Sequence, residues 1–489
     1  MPLYEDWTAE PVNEKMQEIC NNLASESQLT KTEIWLPGSK AYIASRVRYF
    51  KQTALRPACV AVPTQPHGLQ RLIQLIGKER IPFGVSSGQH HSNIGFSSTA
   101  GGLQIDMRQF KDLKLSKDKS YVDVGPGLTW YEVYRMLEGT GVQVVGGRTQ
   151  SVGVGGFLAG GGGMGWSTNV HGMTVNTALE AELVTPQGEI KTVSYSNDPD
   201  LFWALRGGGN KFGIVFRWRL QTHEQAKIVY GGMRIYPQSR KKVINQAMVN
   251  FLSNNTDPGA QLIISYGVAY KLIGIICLQV YYPHQDPGSI FSEFDVERVG
   301  KAWSDSWGPT TFADSVGTSY TEMHANQRSL MDEQNFQNFH SVALLNAAAD
   351  LSYEYGRKWF IKGRFMPLSQ SICSIAIEPF QQGWGAQFKE TQGVYPYHNS
   401  PMPIILLFYW KNARDDEYFT QTARFMIDRL RQIAIEEGQD LSNFPAYPNY
   451  AQADRTPEGL FGKENWERLR GLQKRYDPEN VMGLTKYFS

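Results

Sequence analysis

Ser86-Ser87-Gly88-Gln89-His90-His91-Ser92-Asn93-Ile94-Gly95 follows the short apolar run Ile81-Pro82-Phe83-Gly84-Val85. The run reads as a strand, and the stretch after it as a tight loop with small hydroxyls, a glycine and histidine. Backbone N–H groups of such a loop can surround a pyrophosphate while an imidazole points at whatever lies beside it. Upstream, residues 58–62 read as a strand closed by Pro63, and Leu69, Leu72, Ile73 and Ile76 recur at helical spacing. Strand, helix and strand form a compact β-α-β unit whose second strand feeds the loop.

A second cluster runs Gly146-Gly147-Arg148-Thr149-Gln150-Ser151-Val152-Gly153-Val154-Gly155-Gly156, followed by Gly160 to Gly163 and Gly165. Glycine at this density costs backbone entropy unless close approach or positive φ is required. Val152, Val154, Phe157 and Leu158 argue against a flexible linker. Neither GxGxxG opening a Rossmann unit nor GxxxxGK[ST] occurs, so a dinucleotide site built here is of another kind. Around the cluster, residues 128–137 read as a helix stopped by Gly139 and Gly141, and residues 142–145 as a strand. Residues 179–184 and 190–193 flank the turn Pro186-Gln187-Gly188 as a hairpin. Asn197-Asp198-Pro199-Asp200 opens a short helix, and Phe212, Ile214, Phe216, Trp218 and Leu220 alternate as a half-buried strand.

Glycine clusters stop near residue 225, where longer mixed segments begin; residues 262–266 and 404–409 read as strands there. This gives an N-terminal helical segment (1–54), a first domain (55–225), an α+β second domain (226–440) and a C-terminal segment (441–489) with a helix that returns to the first domain. At 489 residues, 41% hydrophobic and 19% charged, the chain fits a globular protein of several domains. Its 48 basic and 47 acidic residues nearly cancel, which points away from nucleic-acid and anionic-membrane partners. Cys20, Cys59, Cys277 and Cys373 have no metal-ligand spacing and read as buried free thiols. The start, Met1 to Trp7, lacks the pattern of a signal peptide, so the expectation is a cytoplasmic, reducing location and an accidental sequon at Asn254-Asn255-Thr256. Monomer and homodimer both remain open.

Several stretches resemble one family. The 86–99 loop, Ser151-Val152-Gly153-Val154-Gly155-Gly156, the glycines before Met164, and Pro199-Asp200-Leu201-Phe202-Trp203-Ala204-Leu205-Arg206-Gly207-Gly208-Gly209-Asn210-Lys211-Phe212-Gly213 resemble the FAD-binding module of the vanillyl-alcohol oxidase and p-cresol methylhydroxylase superfamily. Tyr447-Pro448-Asn449-Tyr450 and Tyr476-Asp477-Pro478-Glu479-Asn480-Val481-Met482 narrow the resemblance to the berberine-bridge-enzyme-like branch. It implies an α+β fold: a two-subdomain FAD-binding domain of the p-cresol-methylhydroxylase type, plus an α+β substrate domain with an antiparallel sheet.

The resemblance also assigns roles. His90 falls where the flavin is attached covalently, and raising the flavin potential is what such attachment offers. Thr149 stands where doubly attached relatives carry cysteine, implying a single attachment; Val152 stands at the oxygen gate and resembles oxygen-reactive members. Val85, Ser86, Ser87, Gly88, His91, Ser92, Arg148, Gly153, Gly155, Gly156, Gly160, Gly162, Gly163, His171, Gly172, Ile214 and Asn449 complete the implied FAD site. Gln89 departs from a family glycine, although its amide can donate to phosphate. Tyr450 is the first candidate base and Tyr447 the second, with a phenol pKa lowered by neighbouring donors; His398 is a polar anchor. Residues 404–410 contain no acid, which argues against a strand carboxylate base and for an apolar substrate. The implied activity is an FAD-dependent oxidase acting on a largely apolar natural-product intermediate, with O2 reduced to H2O2. A pericyclase using FAD as scaffold and a carbohydrate oxidase are the alternatives.

Overall fold

The computed structural model describes residues 13–269, 273–317, 326–362 and 373–488. The β-α-β unit forms from Cys59–Pro63, the helix Pro66–Glu79 and Phe83–Ser86. Leu103–Asp106 lies between the two strands, parallel to both. Leu69, Leu72, Ile73 and Ile76 are all buried beneath the helix. The N-terminal segment, expected to be helix and loop, also contributes a strand, Thr32–Trp35, antiparallel to Cys59–Pro63. Four residues are too few to display an alternation; sheet pairing decides this strand.

Four strands thus make the first sheet, and a second of five orders Leu113–Leu115, Tyr121–Val124, Ile214–Gln221, Ala178–Val184 and Ile190–Ser194. Phe216, Trp218 and Leu220 turn into its core. Arg217 and Arg219 turn outward onto Asp123 and Glu180. The helix Trp130–Leu137 starts at a capping box between Thr129 and Glu132. The strand expected at 142–145 shortens to Val142–Gln143. Beyond it Gly146 and Gly147 lie against the Trp130 ring, where any side chain would clash, and the chain leaves the sheet direction.

The third sheet has eight antiparallel strands. Seven stand in the order Ser304–Asp305, Val229–Pro237, Ile273–Tyr282, Gln261–Ala269, Cys373–Ile377, Met402–Trp410 and Arg328–Phe336; Gly308–Thr310 pairs beside them with Val229–Pro237. Alternation gives it two unlike faces. Leu262, Ile264, Leu278, Val280, Ile375, Ile404 and Leu406 pack with the helices Lys241–Asn254, Val342–Lys362 and Asp416–Glu436 in one core. Ile263, Ser265, Gln279, Ala376, Ile405 and Leu407 face the glycine loops. The last helix, Pro457–Tyr476, packs Leu469 and Leu472 into the core that holds Phe202 and Trp218.

One expectation is overturned here. Cys20 and Cys59 form a disulfide instead of two free thiols; only Cys277 and Cys373 are free. Cys20 shares the buried face of helix Glu14–Ser25 with Met16 and Leu23, which brings it onto the Cys59 strand. The thiol argument for a reducing location falls with it, and the Met1 to Trp7 stretch lies outside the described residues. Among the described residues, no helix is long and apolar enough to cross a membrane.

Candidate functional site

Between the glycine loops and the open face of the large sheet lies a cavity of about 360 Å3, in the range of small-molecule sites. Its roof is where the two loops cross. A Cβ on Gly88 would sit 2.3 Å from the Gly153 nitrogen, and one on Gly153 would sit 2.3 Å from the Gly88 nitrogen. Only glycine permits that approach. Ser87 Oγ donates to the Pro126 carbonyl, fastening the loop to its neighbour. Among the described residues, the backbone N–H groups of Gly88, Gln89, His90 and His91 have no backbone carbonyl as partner. Gly156, at the start of helix Val154–Gly160, opens on free space.

Gln89 takes φ +58°, the left-handed region that favours glycine. Its amide donates to the Ser45 carbonyl at 3.2 Å and Asp106 at 3.5 Å, holding the strained residue in place.

His90 is clamped from two sides. Its ring stacks on Tyr49 at 3.9 Å, and its Nε2 lies 3.0 Å from Ser151 Oγ. The Tyr49 hydroxyl meets that of Tyr409, from the large sheet, at 2.8 Å. Burial lowers the His90 pKa to about 4, its own backbone hydrogen bond opposing and His91 adding to the fall. The imidazole is neutral at physiological pH. His91, lowered to about 4 by burial, accepts from the Asn93 N–H at 3.1 Å through Nδ1.

Opposite His90 stands a buried charge cluster. Arg148 Nη2 is 2.5 Å from Glu378, with both side chains under a tenth exposed. The Tyr450 hydroxyl also bonds this guanidinium. Trp166 and Phe380 cover its faces at 5.7 and 5.5 Å. Burial disfavours the Arg148 charge, but Glu378 and Tyr450 outweigh it and its pKa rises. Tyr450 moves the other way from expectation: burial and the Glu378 charge raise its pKa, and Arg148 only partly offsets them. Its phenol is hard to ionise. The strand Met402–Trp410 carries no acid, yet the chamber is not acid-free: Glu378, just beyond the neighbouring strand Cys373–Ile377, lines the cavity. Arg148, expected in the FAD site, lines the cavity and spends its charge on Glu378.

The C-terminal segment closes the site. Asn449 Nδ2 donates to the Phe157 carbonyl at 3.0 Å, and a Cβ on Gly160 would collide with its Oδ1. Tyr447 accepts the Gly163 N–H at its hydroxyl, 2.9 Å, and donates its backbone N–H to Glu333 Oε1 at 2.6 Å. Burial raises the Tyr447 pKa as well. The remaining expected residues divide. Val85, Ser86, Ser87, Thr149, Val152, Gly155 and Ile214 line the cavity with those above. Ser92, Gly162, Gly163, His171, Gly172 and His398 do not. Gly162 packs on Val175, and His171 stacks on His223 at 3.6 Å after Gly172 reverses the chain at φ +78°. His398 sits in the 395–400 turn with its Nδ1 buried and unpartnered. Tyr49, Glu378 and Gln279 line the cavity and are new.

Unpaired loop N–H groups, a glycine crossing and an adjoining neutral histidine fit a dinucleotide whose ring system reaches the sheet. Fold and cavity together define an FAD-linked oxidoreductase. The family profile described as FAD binding domain matches residues 57–194, and that described as berberine and berberine like matches residues 446–485. The FAD-dependent monooxygenase tpcD of Cochliobolus heterostrophus is 30% identical, over 88% of this chain and 84% of that one. The FAD-dependent monooxygenase drtC of Aspergillus calidoustus is 26% identical over 91% and 86%. Among solved structures, 6-hydroxy-D-nicotine oxidase of Arthrobacter nicotinovorans superposes at TM-score 0.78 with 21% identity, covering 94% of this chain and 98% of that one. A berberine bridge enzyme variant bound to (S)-reticuline superposes at 0.76 with 15% identity over 94% and 97%. The chain belongs to the berberine-bridge-enzyme-like family of FAD-linked oxidoreductases.

Proposed function

We propose that the protein is an oxidase that removes a hydride from a C–H beside oxygen or nitrogen, and a proton from a neighbouring O–H, N–H or C–H, in a largely apolar natural-product intermediate. When bound, FAD supplies the hydride acceptor and passes the electrons to O2, giving H2O2. One observation carries the reading: a buried carboxylate, Glu378, faces the cavity in contact with Arg148 and beside Tyr450. Glu378 is the proton acceptor. Arg148 holds that carboxylate in place, and Tyr450, kept neutral by burial, donates a hydrogen bond instead of serving as base. His90 would carry the FAD covalently, since it lines the cavity beside the loop N–H groups and burial keeps its ring neutral and nucleophilic at physiological pH. Thr149 offers no thiol for a second bond, and Val152 lines the cavity at the position that the resemblance makes the oxygen gate.

Anaerobic mixing with candidate substrates tests this. The wild type bleaches its flavin, readmitted air returns one H2O2 per turnover, and Glu378→Gln bleaches about 100-fold slower or worse. Bleaching of Glu378→Gln at the wild-type rate would overturn the assignment. The names of the relatives, FAD-dependent monooxygenases, favour a second reading in which one oxygen atom enters the product. Labelled O2 separates the two, because only that reaction transfers label to the product.

A further inference from the structure

We infer that Gln279 selects the substrate: its side-chain amide donates a hydrogen bond to an acceptor oxygen on an otherwise apolar, uncharged molecule. The inference rests on the reading of Glu378 as the reacting end of the chamber. Gln279 stands opposite Ile263 across the antiparallel pair. On the other side Ile264 stands opposite Ile377, so Glu378, the next residue, falls beside Ile263. All three line the cavity, on one row of one face. Strands spaced at about 4.8 Å put Gln279 and Glu378 about 10 Å apart along that row. That span fits a fused pair of rings with its oxygen at one end and its reacting carbon at the other.

The rest of the floor is apolar: Ile263, Met331, Ala376, Ile405 and Leu407, with Ser265 and Ser374 as small hydroxyls. Yet Gln279 Nε2 is buried and has no hydrogen-bond partner among the described residues. Native proteins rarely leave a buried donor unmade without a reason, and a ligand oxygen is the simplest one. The charge balance points the same way. Among the described residues, Arg148 is the one lysine or arginine lining the cavity, and it is paired with Glu378, so none of them offers a free cation to an anionic substrate. A sugar, with hydroxyls on every edge, would find too few partners on this floor.

The test uses two probes of equal shape, 1-tetralone and its hydrocarbon counterpart tetralin, titrated into the FAD-loaded protein by calorimetry. The wild type is expected to bind 1-tetralone at least about 10-fold more tightly, the worth of one well-made hydrogen bond. Gln279→Met, of similar length and without the donor, brings the ratio to about one while tetralin still binds. Gln279→Leu, of similar volume and also without a donor, does the same and guards against misfolding of the first variant. Equal affinity in the wild type, binding of neither probe, or a ratio that survives Gln279→Met overturns the inference. The ratio reads binding alone, in the wild type and the Gln279 variants, and needs no proton transfer. Failure of the Glu378 reading therefore shows in the bleaching rate and not here.

Discussion

Replacing Glu333 by glutamine should make the protein more stable in mild alkali and change little in mild acid. Glu333 lies on strand Arg328–Phe336, fully buried, with Oε1 accepting the Tyr447 N–H and Oε2 unpartnered. Burial raises its pKa from 4.5 to about 8; the Tyr447 N–H and Arg455 oppose the rise, and Asp332 and Glu378 add to it. In the unfolded chain the carboxyl regains its ordinary value. The folded form therefore binds the proton more tightly, so the stability it confers is full below about 4.5 and is lost as pH climbs to about 8. At about 1.4 kcal/mol per tenfold change in proton affinity, the whole span is worth roughly 5 kcal/mol as an upper bound. Glutamine keeps the acceptor for Tyr447 and cannot ionise. Urea unfolding midpoints of the FAD-loaded forms, taken near about pH 5 and about pH 9, give the comparison; Asp332 and the other carboxyls titrate in both proteins and cancel. The variant should gain several kcal/mol at the higher pH only. An offset between wild type and variant that is the same at both pH values would refute the reasoning.

Three more outcomes follow from the same geometry. Tyr49→Leu removes the ring stacked on His90; losing roughly 0.5–1.5 kcal/mol of packing slows flavin attachment about 2- to 10-fold, read as flavin fluorescence retained on a denaturing gel. Gly88→Ala forces the crossing loops apart, so the purified protein should carry no yellow chromophore, whereas a normal flavin content would show that the crossing is not tight. Cys20→Ala removes a bridge spanning 39 residues and should cost about 4 kcal/mol of unfolding free energy by the chain-entropy relation. Titration of the denatured wild type should find free thiols only at Cys277 and Cys373; reaction of all four cysteines without reductant would contradict the bridge.

The cofactor end of this site was readable because its signals are local. A strand running into a small-residue loop places His90, and a dense glycine run marks close backbone approach, whatever lies elsewhere in the chain. The substrate end was not, because it is assembled across distance. Arg148 and Glu378 are 230 positions apart and meet only when the large sheet docks on the glycine loops. Residues 404–410 lack an acid as read, but its neighbour in the sheet is set by pairing, and Glu378 comes from there. One signal was available: an acid directly after the alternating strand Cys373–Ile377. Cys20 was legible in the same way, since Met16, Cys20 and Leu23 share a helical face. The expected low pKa of Tyr450 failed for a physical reason, because burial beside a carboxylate outweighs one guanidinium.

The central claim is a flavin held by one bond to His90, and intact-protein mass spectrometry after acid denaturation tests it most directly. The account predicts the chain mass plus one FAD for the wild type, and the bare chain for His90→Ala. A wild type that weighs only its polypeptide, or an adduct that persists in His90→Ala, would contradict it.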